Sequence, residues 1–223
     1  MPLSDQETAL DKQEIIDLIR AAFLQTDYPG DGFLLGSREG DDAFEAVQPF
    51  RDVADWSDMD PEVLDHNYDA LSFLSDGGFR FFLPAYLIAD LNDQLRTADP
   101  VFHLTGGFRD TMVSIPLGGI PFEKRIGRAA FVNPRRYGAM MFEDYARYRL
   151  SVFTREEARA IVSYLEYRQA VPDSVDGETI DAALGGFWRE RAESAPPAEA
   201  LADHLRAEEE FMRRISEPPD DPG

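Results

Sequence analysis

The residues that can do chemistry in this chain are few, and most fail on spacing. Histidine occurs three times, at His66, His103 and His204. No pair has the HxxxH or HExxH spacing that places two imidazoles on one helix face, so no histidine metal site is expected. There is no cysteine, which removes disulfides, thiolate metal sites and cysteine nucleophiles together. No GxSxG elbow, GxxxxGK phosphate loop or helix-opening GxGxxG is present. Asp27, Asp31, Asp41 and Asp42 lie in or beside a Gly/Asp-rich loop but lack the alternation and distal Glu of a calcium loop, and read as solvated carboxylates. Asp65-His66 are adjacent on a predicted helix and point apart, so they form no dyad. No catalytic residue, cofactor or metal is assigned.

One local anomaly stands out against this background. Lys124, Arg125, Arg128, Arg135, Arg136, Arg147 and Arg149 face only Glu143 and Asp144, with Tyr137, Tyr145 and Tyr148 interleaved. Guanidinium forks bind carboxylate or phosphate in pairs of hydrogen bonds, and tyrosine adds a further bond or a stacking face. Arg125, Arg128, Arg135, Arg136 and Tyr137 are therefore candidates for an anion site. The competing expectation is that a basic strip in an acidic chain pairs with its own carboxylates.

That chain is very acidic, with a net charge of −21 over 223 residues. Such a surface repels polyanions, so nucleic-acid binding is not expected. Lysine occurs only at Lys12 and Lys124. Two readings fit an acidic, lysine-poor composition: adaptation to concentrated salt, or a GC-rich genome that favours arginine codons. No apolar run approaches the ~20 residues of a membrane span, and the polar start MPLSDQETALDKQ is neither a signal nor a transit peptide. The expected setting is the cytoplasm.

The element that must position everything else is Leu71 to Leu91, LSFLSDGGFRFFLPAYLIADL. Phe79, Phe82, Leu83, Tyr86, Leu87 and Leu91 follow the i, i+3, i+4, i+7 rule of a buried helix face. Gly77-Gly78 and Pro84 interrupt it, predicting a helix that ends near Leu74, a short turn, and a second helix kinked or restarted at Pro84. That helix is expected to continue through Leu95 and stop before Asp99-Pro100.

Around it, Ser4-x-x-Glu7 predicts the cap of a first helix that buries Ile15, Ile16, Ile19 and Phe23. A short helix is expected to turn Phe44, Val47 and Phe50 inward. Asp60-Pro61 starts another, with Val63 or Leu64, Tyr68, Leu71 and Leu74 on its core face. Residues 101–132, rich in glycine pairs, prolines and β-branched side chains, predict a small irregular β excursion. Thr154-x-x-Glu157 caps a clear helix to Gln169 with a stripe of Ala158, Ile161, Val162 and Leu165. The fold class is mainly α: a helical core domain over 1–170, then peripheral helices and a disordered acidic tail over 171–223. The last helix, 199–215, has a thin stripe of Leu201, Leu205, Met212 and Ile215 interrupted by Glu208, Glu209 and Glu210.

The central stretch, with Trp56 upstream and LSVFTREEARAIVSYLEYR downstream, resembles an uncharacterised bacterial family of small soluble proteins that carries an "fLxxxgFrfyLPAyl" core motif. The resemblance spans about Ile15 to Arg168. Gly77-Gly78 departs from the Pro-Glu or Pro-Ala expected between the serine and phenylalanine, which weakens that helix start. The family implies no activity and therefore no site residue. The expected function is a non-catalytic cytoplasmic interaction or accessory protein, for example an immunity-type binder of a protein partner; the alternative is a binding domain or enzyme for an anionic small molecule held by the arginine-rich 124–149 segment.

Overall fold

The computed structural model describes residues 10–36, 41–109, 111–117, 120–127, 130–133, 138–172, 176–195 and 198–216; for 111–141, 198, 215 and 216 the description is of the backbone only. The architecture is mainly helical. Helix α5 (Asp76–Leu91) runs through the middle, and every residue from Asp76 to Leu91 is buried except Arg80, Ile88 and Asp90, which are half-buried. A helix apolar nearly all round needs partners on every side. They are α1 (Lys12–Ala22), α3 (Pro61–His66), α6 (Pro100–Thr105) and α11 (Ala198–Ser216), with α8 (Arg155–Ala170) packed on α1.

Helix α5 is unbroken at Pro84, and its start is set by a serine cap instead of being weakened by glycine. Helix α4 (Ala70–Phe73) ends as expected, and Ser75 turns the chain. Gly78 serves proximity: a Cβ there would stand 3.2 Å from the Leu34 carbonyl oxygen, whereas one on Gly77 would meet Leu205 Cδ2 only at an ordinary contact distance of 3.4 Å. The helix stops at Leu91 and does not reach Leu95, because Asp93 adopts a left-handed conformation (φ 57°) and the Gln94 N–H turns back to the Ala89 carbonyl at 2.9 Å.

The N-terminal capping box is Asp11 with Glu14, each side chain accepting from the other's backbone N–H; the Ser4–Glu7 pattern lies outside the described residues. Ile15, Ile16, Ile19 and Phe23 are buried. In α2 (Asp41–Val47) the buried face is Ala43, Ala46 and Val47, followed by Phe50, while Phe44 is exposed with the Arg51 guanidinium over its ring. Tyr68 is likewise exposed, since α3 ends at His66 and the chain is turning by that point.

Val101–Thr105 are helical, with Asp99 accepting from the Phe102 N–H and Pro100 at the first position. The β excursion follows as two antiparallel pairs: β1 (Thr111–Leu117) with β2 (Ile120–Gly127), and β3 (Ala130–Asn133) with β4 (Gly138–Met141). Helix α7 (Phe142–Leu150) leads back to the core.

The segment 177–194, expected at the periphery, is part of the core. Ile180 and Ala183 of α9 (Gly177–Ala183), Leu184 and Trp188 of a following π-helical turn, and Ala192 of α10 (Arg189–Ser194) join the same hydrophobic cluster as α5. Trp188 is fully buried, and its indole N–H donates to the Leu104 carbonyl at 2.8 Å. Burying an aromatic of this size while satisfying its one donor contributes several kcal/mol, about 3–5 by the usual cost of truncation. Residues 217–223, the expected tail, lie outside the described residues.

Candidate site at the start of the core helix

The first turn of any helix leaves N–H groups without intrahelical partners. At α5 all three of the first amides find acceptors, from two different sources. The Gly78 N–H donates to Ser75 Oγ at 2.9 Å, an ordinary N-cap. The Asp76 and Gly77 N–H groups donate to the two oxygens of the Glu208 carboxylate, at 2.6 and 3.1 Å. Glu208 comes from α11, 131 positions beyond Gly77, and is 5% exposed. A carboxylate here also lies at the positive end of the helix dipole.

The neighbouring buried acid is Asp76, 1% exposed. Its Oδ2 is 2.8 Å from His204 Nε2. His204 is one turn before Glu208 on α11; its other nitrogen is 3.3 Å from Ser151 Oγ, and Tyr148 stacks on its ring at 4.4 Å between centroids. Arg149 brings positive charge toward Asp76 and Glu208 while its guanidinium donates to the Leu71 and Leu74 carbonyls at 2.5 and 3.3 Å and to Tyr145 Oη at 3.1 Å. Buried carboxylates are tolerated only when bonded and charge-balanced in this way.

Ser151, His204 and Asp76 have the residue types and contacts of a hydrolytic relay, but the surroundings oppose that chemistry. Ser151 Oγ donates its proton to the Tyr148 carbonyl at 2.6 Å. It also follows directly on the C-terminus of α7, where the helix dipole is negative and destabilises an oxyanion. The string Asp76–His204–Ser151 braces α11 against α5 and α7.

Beside the helix start is a cavity of about 250 Å³ lined by Thr26, Asp27, Tyr28, Pro29, Phe33, Ser75, Gly77, Arg80, Leu205, Glu208 and Glu209. One wall is a clamp. Arg80 grips Glu157 of α8 with Nε at 3.0 Å from both carboxylate oxygens and Nη2 at 2.9 Å from one. The same carboxylate accepts from the Thr154 backbone at 2.7 Å and from Thr26 Oγ1 at 2.9 Å. The capping-box glutamate read from the sequence is thus also a tertiary clamp. Tyr28, also in the cavity lining, donates to Asp31, and burial together with that carboxylate drives its phenol well above the usual range. Asp31 also accepts from the Asp52 N–H at 3.1 Å, so this loop carboxylate closes a turn.

The sequence-derived anion candidates fall outside what the structure describes of side chains. Arg128, Arg135, Arg136 and Tyr137 lie outside the described residues, and of Arg125 only the backbone, on β2, is described. The strip's last two arginines are engaged internally: Arg147 pairs with Glu143 at 2.8 Å, and Arg149 as above. Asp65 of the Asp65-His66 pair holds the bend before α6, accepting from the Arg96, Thr97 and Ala98 amides at 2.7–3.0 Å. His103 is pushed down to about 4 by burial and by the charge of Arg149. Among the described residues no group of three or more His, Asp or Glu is arranged to hold a metal, and no helix is long and apolar enough to cross a membrane.

Glu208, Asp76 and His204 were missed in the sequence. A signal existed for Glu208: it follows Leu201 and Leu205 by seven and three positions and precedes Met212 by four, so it occupies an apolar-stripe position and is no interruption of the stripe.

Fold and site together define a mainly helical protein whose core helix receives a carboxylate at its N-terminus. Residues 11–106 match the model of a family described as "Family of unknown function (DUF6714)". This agrees with the resemblance to an uncharacterised family, and the matched span ends at Gly106, before the α8 helix. It includes α1 to α6, and with them the cavity walls from Thr26 to Phe33 and from Ser75 to Arg80; α11 falls outside it. Comparison with curated proteins and with solved structures gave no match.

Proposed function

We propose that this chain is a non-catalytic interaction protein that recognises a carboxylate-bearing side chain on a partner's helix, at the start of α5. The observation that carries this reading is the grip of the Asp76 and Gly77 amides on the Glu208 carboxylate, beside a cavity of about 250 Å³. The receptor is made of backbone donors held by a buried helix, so it is preorganised. Its ligand is a side chain delivered by an amphipathic helix, which is a common mode of peptide recognition. In this chain α11 fills that role in cis. The partner is a protein with an acidic amphipathic helix, and the setting is the cytoplasm.

The test is affinity purification of tagged wild-type chain and Glu208→Ala from the native cell, with Glu209→Ala as control. Vacating the receptor is expected to raise recovery of one partner several-fold over wild type and over the control. That partner is expected to be released by acetate but not by an equal concentration of chloride. Recovery of all three baits alone, or equal release by chloride, contradicts the reading.

A further inference from the structure

We infer that α11 is a strap that opens independently of the rest of the fold and gates the receptor at the start of α5. This rests on the reading of that receptor as a recognition site, and supplies its regulation. The contrast with the neighbouring C-terminal elements carries it. The segment 177–194 is welded in: Trp188 is fully buried among Phe153 and Phe187, and Arg191 donates to the carbonyls of Ser151 and Phe153.

Helix α11 is attached differently. Among the described side chains of α11, Leu201 and Met212 are buried and Leu205 and Phe211 half-buried, and beside them stand two polar anchors: Glu208 on two amides and His204 on Asp76. Charge-assisted anchors of this kind can be replaced one for one by another carboxylate or by water, which a packed aromatic such as Trp188 cannot. The connection to α10 runs through Pro196-Pro197, a pair that cannot continue either helix. Departure of α11 removes Leu205, Glu208 and Glu209 from the cavity wall and uncovers the Asp76 and Gly77 N–H groups. Local opening of this kind belongs to the low-stability end of a protein's hydrogen-exchange spectrum.

The experiment is residue-resolved amide hydrogen exchange on the full-length chain over a series of sub-denaturing urea concentrations. Amides of α11 are expected to exchange at least ten-fold faster than those of α8, with a markedly weaker urea dependence, because opening the strap exposes only a fraction of the surface that global unfolding does. Glu208→Gln is expected to speed α11 exchange a further ten- to hundred-fold, the loss of charge-assisted bonds, and to leave α8 unchanged. If α11 and α8 exchange together with the same urea slope, α11 is part of the global unit and the strap is refuted. If α11 opens alone but Glu208→Gln leaves its rate unchanged, the latch is refuted. Neither result depends on a partner or on free carboxylate, so failure here is distinct from failure of the receptor.

Discussion

Glu157 offers the most informative single perturbation, because one buried carboxylate serves three elements. It is 1% exposed and accepts from Arg80 of α5, the Thr154 backbone of α8 and Thr26 beyond α1. Glu157→Gln keeps the shape and one carbonyl acceptor. It removes the negative charge, and turns an amide NH2 toward donors on Arg80 or Thr154. Removing one partner of a buried ion pair costs about 3–5 kcal/mol. The Arg80 side chain is 17% exposed, so water recovers part of this and the lower end, about 3 kcal/mol, is expected. For a chain of this size that corresponds to a fall in melting temperature of roughly 6–12 °C. The assay is thermal unfolding by circular dichroism, run with Arg80→Met and the double variant. Because the double variant leaves no orphaned charge, its loss is expected to be at least about 1 kcal/mol smaller than the sum of the singles. A drop of only a degree or two for Glu157→Gln, or strict additivity, would refute the clamp.

Two further predictions concern other parts of the fold. Trp188→Ala is expected to destabilise by about 3–5 kcal/mol, leaving a cavity and an unpaired Leu104 carbonyl, as chemical denaturation would measure; a loss under about 1 kcal/mol would place 177–194 outside the cooperative core. Asp65 is held below its ordinary value of 3.8 by the amides of Ala98, Thr97 and Arg96. A depressed carboxyl contributes stability that is present above the unfolded value and lost as pH falls through the folded one. Asp65→Asn is therefore expected to be less stable than wild type at neutral pH, with the gap closing below about pH 4. A gap that stays constant or widens on acidification would contradict the role of these three bonds.

The helices with strong local signals were legible in the sequence. Thr154–Glu157 and Asp60–Pro61 start helices where their side chains predict, because caps act over three or four residues. Gly77-Gly78 reads as a break from sequence because the reason for Gly78 is long-range: the space is taken by the Leu34 backbone, and no local rule carries that information. Trp188 was placed at the periphery for a similar reason, since its partners, Leu104 and Phe153, are distant in sequence. The site itself was the least legible. Glu208 looked like a break in a weak stripe, yet its carboxylate is received by two backbone amides, which leave no signature in side-chain pattern. The arginine strip is conspicuous because charge contrast is visible in one dimension; the members whose side chains are described, Arg147 and Arg149, are bound within the fold.

The most direct test of the receptor is the amide spectrum of Glu208→Ala titrated with acetate. The N–H resonances of Asp76 and Gly77 are expected to move saturably with acetate and far less with an equal concentration of chloride, while Gly78, served by Ser75, moves little. Shifts that are absent, or equal for the two salts, would contradict the claim that the start of the core helix is built to receive a carboxylate.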